Sequence, residues 1–185
     1  MIRSYAITDP LYYGETPEAL SSSIKRVLGQ KRVDYLCFRD KITSHYESMA
    51  ESFMLTCKAL DFDKTLLHGD VELSHQLGAY GVHVSSKQFE SIAKAKAYGL
   101  FCVASTHSED EISLAIKLGA DAVTYSPIFS TPNKGSPKGL EDLNEKVAKI
   151  KTKIIALGGI ISDEQIADIE STGAYAFASI RYFVK

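Results

Sequence analysis

Eight short apolar runs recur along the chain with helical stretches between them, and this alternation restricts the fold more than any single motif does. The runs are RSYAIT (3–8), VDYLCFR (33–39), TLLHG (65–69), GVHVS (81–85), FCVAST (101–106), AVTYSPI (122–128), IIALGGI (154–160) and YAFASI (175–180). They are rich in β-branched and aromatic residues and too continuously apolar to leave one face in water, as parallel strands covered on both faces are. Amphipathic stretches lie between them, among them 17–30, 45–60, 109–119 and 162–173, with Ser108 and Ser162 placed as N-caps and Gly119 and Gly173 just past the C-terminal ends. Three helix-to-strand junctions repeat one pattern, LGAYGVHV, LGADAVTYS and TGAYAFASI, in which Gly78, Gly119 and Gly173 can take the left-handed conformation that ends a helix. The expected fold class is therefore α/β, a single compact (β/α)8 TIM barrel over residues 1–185. The same alternation also permits an open doubly wound sheet. At 185 residues the chain is below the usual barrel length of roughly 200–250, and the shortfall lies at the end, where only RYFVK follows the eighth run. With the last helix short or missing, the seam between strands eight and one is expected to leave apolar surface near Tyr182, Phe183 and Val184, and a homodimer is expected to bury it.

Charge and composition remove several function classes. Lys and Arg number 21 against 23 Asp and Glu, a formal net charge of −2, so the chain has no basic field for a nucleic-acid backbone. No segment approaches the ~18 consecutive apolar residues of a membrane span, and the N-terminus lacks an apolar leader with a cleavage site. A cytoplasmic protein is the expectation. Cys37, Cys57 and Cys102 are odd in number and sit in apolar runs without CxxC spacing, so they read as reduced core residues.

In a barrel the chemistry gathers at the C-terminal ends of the strands. Those ends carry Arg39 and Lys41 after strand two, His68 and Gly69 after strand three, Ser85 and Ser86 after strand four, and Ser105, Thr106 and His107 after strand five. Strand six opens into YSPIFSTPNKGSPKG, a polar loop with Thr131, Asn133, Lys134 and no carboxylate; strand seven ends in Gly158 and Gly159, and strand eight in Ser179. Arg39, Lys41 and Lys134 converging on a slightly acidic protein imply an anionic ligand, most simply a phosphate or pyrophosphate. The Gly-Gly turn and the turn at Ser179 lie where such barrels hold a phosphate on backbone N–H groups. His83, inside a strand, reads as a hydrogen-bonded barrel residue, and His45 and His75, on helices, as surface residues.

The segments YAITD, YLCFRDK, LLHGDVELSHQLGAYGVHV, ASTHS, YSPIFSTPNKG, IIALGGI and AFASI, in this order over nearly the whole chain, resemble the thiamine phosphate synthase and thiazole tautomerase superfamily, whose members fold as compact (β/α)8 barrels. The synthases join a pyrimidine methyl pyrophosphate to a thiazole phosphate, expel pyrophosphate and use magnesium. The resemblance implies that Arg39, Lys41, Ser105 and Lys134 hold pyrophosphate and that Thr131, Gly159 and Ser179 hold the thiazole phosphate. Asn133 stands where the synthases usually have Thr, and Cys37 where they usually have Gln. The synthases place one magnesium-binding Asp just after strand three and another just after strand four; here His68-Gly69 and Ser86-Lys87-Gln88 occupy those stretches, and Asp70 is expected to face away as a helix N-cap. The tautomerases resemble this chain better at those places, and His107 matches the position of their general base.

Three readings follow. The first is a metal-independent thiazole tautomerase with His107 as general base and a phosphate held by Gly158, Gly159 and Ser179. The second is a thiamine phosphate synthase, for which Mg2+ would be the one expected cofactor, and the third is a non-catalytic binder of a thiazole or thiamine phosphate. All three share a small-molecule phosphate as partner. His68 replaces a polar ligand-binding position and is a candidate phosphate contact.

Overall fold

In the computed structural model, which describes residues 1–132 and 134–184, the eight runs form one closed parallel barrel in the order β1 to β8. The strands are β1 (Arg3–Ile7), β2 (Tyr35–Phe38), β3 (Thr65–His68), β4 (Gly81–Val84), β5 (Phe101–Thr106), β6 (Ala122–Tyr125), β7 (Lys153–Leu157) and β8 (Ala176–Ser179). The helices are α1 (Pro10–Tyr13), α2 (Pro17–Gln30), α3 (Tyr46–Ala59), α4 (Val71–Gln76), α5 (Ile92–Ala97), α6 (Glu109–Lys117), α7 (Gly139–Lys149) and α8 (Asp163–Ser171), with a short 3₁₀ turn over Phe89–Ser91 before α5. β1 pairs with both β2 and β8, so the sheet has no edge and the open-sheet alternative does not hold.

Because side chains alternate across a strand, each strand feeds two cores. Val103, Leu66, Ile155, Ala178 and Tyr5 point into the barrel, while Cys102, Ala104, Leu67, Ala156 and Phe177 pack outward against the helices. Cys37, Cys57 and Cys102 are all free and buried, as their apolar surroundings predict. The helix boundaries follow the local chemistry. Ser108 accepts from Glu111 N at the start of α6, and Ser162 opens α8 with a reciprocal capping box to Gln165. Gly78, Gly119 and Gly173 take φ of 67°, 98° and 77° just past the ends of α4, α6 and α8, which is the left-handed turn the repeated junctions require.

Two expectations are corrected. β6 stops at Tyr125 instead of running to 128, because Pro127 has no N–H for the ladder, and the chain turns instead so that Ile128 N and Phe129 N donate to Leu157 O and Gly158 O. The seam between β8 and β1 is also not left bare. Residues 181–184 form turns that fold back, Phe183 is 1% exposed, and its ring stacks on Phe177 at 5.9 Å with planes 4° apart.

Candidate active site at the mouth of the barrel

The C-terminal ends of the strands enclose a cavity of about 650 Å³. Arg39, Lys41, His68, Ser105, His107, Thr131, Lys134, Gly158, Gly159 and Ser179 all line it. Asn133 falls outside the described residues. The cavity also takes in Lys87 after β4 and Arg181 after β8, two cations that the sequence reading left uncounted. In the sequence Lys87 stands only as the middle of the Ser86-Lys87-Gln88 stretch that lacks the synthases' aspartate, and Arg181 only as part of a short tail. Both directly follow a strand, which is the signal that could have placed them.

The cations are not equivalent. Arg39 Nη1 donates to Asp9 Oδ2 at 2.9 Å, so part of its charge is already balanced by the N-cap of α1. Lys41, Lys87 and Lys134 have no carboxylate within ion-pair distance among the described residues. The Lys41 ammonium is held below its ordinary pKa by burial and then by the charges of Arg39, Lys134 and Lys87. Clustered ammonium groups without a counter-charge disfavour one another, and an anion with several oxygens would relieve the repulsion.

The floor of the cavity is polar but uncharged. Burial pushes His68 down to about 4, with Lys41 and Arg39 adding to the shift, and drives His83 well below its ordinary value for the same first cause. His83 is 2% exposed, with Nδ1 3.0 Å from the Tyr5 hydroxyl and Nε2 3.0 Å from Ser105 Oγ. Ser105 is thus anchored from beneath while it faces the cavity.

The opposite rim is built by β6, β7 and β8. His107 Nδ1 lies 3.2 Å from the carbonyl oxygen of Ser126 and 3.1 Å from its hydroxyl. A carbonyl can only accept, so that contact calls for a hydrogen on Nδ1, whereas the Ser126 hydroxyl can donate to Nδ1 or accept from it. Gly158 and Gly159 meet the cavity with main chain alone. Their φ values are +101° and +72°, and a Cβ on Gly159 would lie 2.6 Å from Ser130 O, so the β6 loop packs tightly on them. The hydroxyl of Thr131 donates to Phe129 O at 3.0 Å. Ser179 Oγ donates to Ile160 O at 2.8 Å and accepts from Tyr182 N at 3.2 Å, so its hydroxyl is engaged within the protein.

The magnesium that the superfamily resemblance implies does not fit these residues. Gly69 offers no side chain, and its carbonyl oxygen accepts from Gln88 Nε2 at 2.8 Å. The other end of that amide, Oε1, accepts from both N and Oγ of Ser85, so a neutral bridge ties β3 to β4 where the carboxylates would stand. Asp70 caps α4 through Leu73 N at 2.9 Å, and Asp40 is taken up by Ile42 N, Thr43 N and Thr43 Oγ1. Among the described residues no group of three or more His, Cys, Asp or Glu is arranged to hold a metal. Magnesium requires oxygen ligands, carboxylates foremost, and three lysines would repel it.

Fold and cavity together define a (β/α)8 barrel with a mouth lined by several cationic side chains. Residues 4–183 match the model of the thiamine monophosphate synthase family. A thiamine-phosphate synthase of Koribacter versatilis is 31% identical over 96% of this chain and 87% of its own length. One of Caldicellulosiruptor saccharolyticus is 24% identical over 94% of this chain and 81% of its own. A solved thiamine phosphate pyrophosphorylase from Pyrococcus furiosus superposes with a TM-score of 0.81 at 23% identity, covering 97% of this chain and 85% of that one. The chain belongs to the thiamine monophosphate synthase family.

Proposed function

We propose that this chain is a thiamine-phosphate synthase that joins a pyrimidine methyl pyrophosphate to a thiazole phosphate. The observation that supports the reading is a cavity lined by two sets of groups suited to anions. One is the cluster of Lys41, Lys87 and Lys134, and the other is the main chain of Gly158, Gly159 and Ser179 with Arg181 beside it. An isomerase acting on one phosphate needs only the second set. A condensation of two phosphorylated substrates uses both, and relatives named as synthases support it. In that reaction the bond between the pyrimidine methylene and the pyrophosphate oxygen breaks, its electron pair leaves with pyrophosphate, and the thiazole supplies the pair for the new bond. Negative charge grows on the departing oxygens, and the three ammonium groups face it in place of a metal. Preorganised charge of this kind acts where charge develops in the transition state.

His107 favours a second reading. Its ring lines the cavity and contacts Ser126 through Nδ1, a placement that proton transfer within a thiazole carboxylate phosphate could use. This tautomerase reading, placed first in the sequence by the missing carboxylates and the match of His107 to the general base, becomes the second choice because it leaves the lysine cluster without a task. The deciding experiment incubates the protein with both synthase substrates, and separately with the thiazole carboxylate phosphate, each with chelator and with magnesium. Thiamine phosphate formed in chelator is the expected product. Isomerisation without condensation would move the assignment to the tautomerase, and pyrophosphate binding without either product would make the chain a binder.

A further inference from the structure

A string of buried polar atoms runs from the cavity floor into the barrel: Ser105 Oγ, His83 Nε2, His83 Nδ1 and the Tyr5 hydroxyl, each contact 3.0 Å, with the Cys37 thiol in the same inner core as Tyr5. Tyr5 and Cys37 are 1% and 0% exposed. The Tyr5 hydroxyl has one hydrogen and two neighbours that could take it, an imidazole nitrogen and a thiol sulfur. Sulfur is the weak acceptor of the two, and the thiol's own hydrogen is directed to Phe38 O at 3.7 Å. Tyr5 therefore donates to Nδ1, which puts the hydrogen of the neutral ring on Nε2. That N–H donates to Ser105 Oγ and leaves the Ser105 hydrogen free to point into the cavity. We propose that Tyr5 and His83 are positioning residues that fix Ser105 as a hydrogen-bond donor to an anionic oxygen of the ligand.

The alternative ring tautomer has the opposite effect. With the hydrogen on Nδ1, Ser105 would have to donate to Nε2, and only oxygen lone pairs would face an anion gathered by Lys41 and Lys134. Burial keeps the ring neutral, with His68, Arg39 and Lys41 adding their repulsion, so protonation does not scramble the polarity near neutral pH. The inference rests on the reading that the mouth takes an anion, and two measurements keep the two claims separate.

The first is ring-nitrogen NMR of the protein labelled with 15N-histidine, with the His83 signals assigned from a His83→Gln variant. The expected result is a neutral ring protonated on Nε2 in the parent and a mixture of tautomers in Tyr5→Phe. A hydrogen on Nδ1 in the parent overturns the inference whatever the ligand is. The second is calorimetric binding of inorganic pyrophosphate by the parent, Ser105→Ala, Tyr5→Phe and the double variant. A hydrogen bond to a charged group supports a loss of about tenfold for Ser105→Ala. Tyr5→Phe should lose part of that, and the double variant should be no weaker than Ser105→Ala. Losses that multiply overturn the inference, because Tyr5 would then act by another route. A parent that binds no pyrophosphate sinks the functional reading, and the tautomer still decides the fate of this one.

Discussion

At the residue scale the mouth separates into groups whose task follows from their hydrogen bonds and groups whose task follows from charge. His107 is of the first kind. His107→Asn removes the base while an amide can keep the contact to Ser126, so isomerisation, if the protein performs it, should fall by ~10²–10⁴. Condensation should change far less, and Lys41→Ala, Lys87→Ala or Lys134→Ala should each lower it more than His107→Asn does; rates for both reactions in the four variants check this ordering. His68 is of neither kind, because burial keeps its ring neutral near pH 7. Its folded-state pKa lies below that of the unfolded chain, at about 4, with burial as the first cause. Between pH 6.5 and 4 the unfolded state binds the proton more readily, so stability rises with pH across that window and is lost as the pH falls through it. The slope for one such group is at most ~1.4 kcal/mol per pH unit. His68→Asn should flatten the acid side of the stability curve, read as urea midpoints at pH 7, 6 and 5; parallel curves for parent and variant would contradict it. Arg39, Lys41 and Lys134 were legible because each follows a strand or sits in a polar loop. The internal use of Ser179 was not, since its partner Ile160 lies 19 residues away and belongs to another strand's loop. The Asp9 partner of Arg39 was hidden for the same reason, 30 residues upstream.

Among the elements, the glycines show how much of the site depends on backbone shape. The αβ junctions were readable because the left-handed turn after a helix leaves a local mark, a Gly followed by Ala and a new apolar run. The βα loops that make the site were less readable, because their conformation depends on what they pack against. Gly119 and Gly159 separate the two cases. Both have positive φ, at 98° and 72°, but a Cβ at Gly119 would meet only Lys96 Cγ at 3.6 Å, whereas at Gly159 it would meet Ser130 O and Phe129 C within 2.8 Å. Gly119→Ala should therefore cost the ~1–2 kcal/mol of a left-handed alanine and leave pyrophosphate affinity unchanged. Gly159→Ala should cost more and also displace the β6 loop that carries Thr131 and Lys134, weakening ligand binding. Urea midpoints and calorimetric affinities for the two variants test this. Equal effects on both quantities would mean that the loop does not depend on its seat against β7. The shortening of β6 belongs to the same class of error: TYSPI is apolar enough to read as strand, and only the position of Pro127 limits it.

For the whole molecule, the barrel closes by pairing of β8 with β1, and Phe183 just beyond β8 is buried against Phe177. Period and junctions made the closed fold readable from the sequence, yet the same reading expected an apolar seam at the chain end and a homodimer to cover it. Tail residues were judged there by their composition, with no means of seeing that the chain turns back. In the folded molecule Phe183 stacks on Phe177, Tyr182 packs edge-on against both rings, and the Tyr182 hydroxyl donates to Asp163 Oδ1 at 2.6 Å at the start of α8. A second copy therefore cannot use Phe183 as a contact unless the tail first leaves its own barrel. Burial to 1% exposure places Phe183→Ala among core aromatic truncations, which typically cost ~3–5 kcal/mol. The expected outcome is a large drop in the urea midpoint with no change in the molar mass measured by light scattering, whatever that mass is in the parent. The same variant should bind pyrophosphate more weakly at denaturant concentrations where it is still folded, because Ser179 at the end of β8 and Arg181 at the start of the tail line the cavity. A variant of unchanged stability but halved mass would restore the seam as an interface and show that the tail is exchanged between two chains.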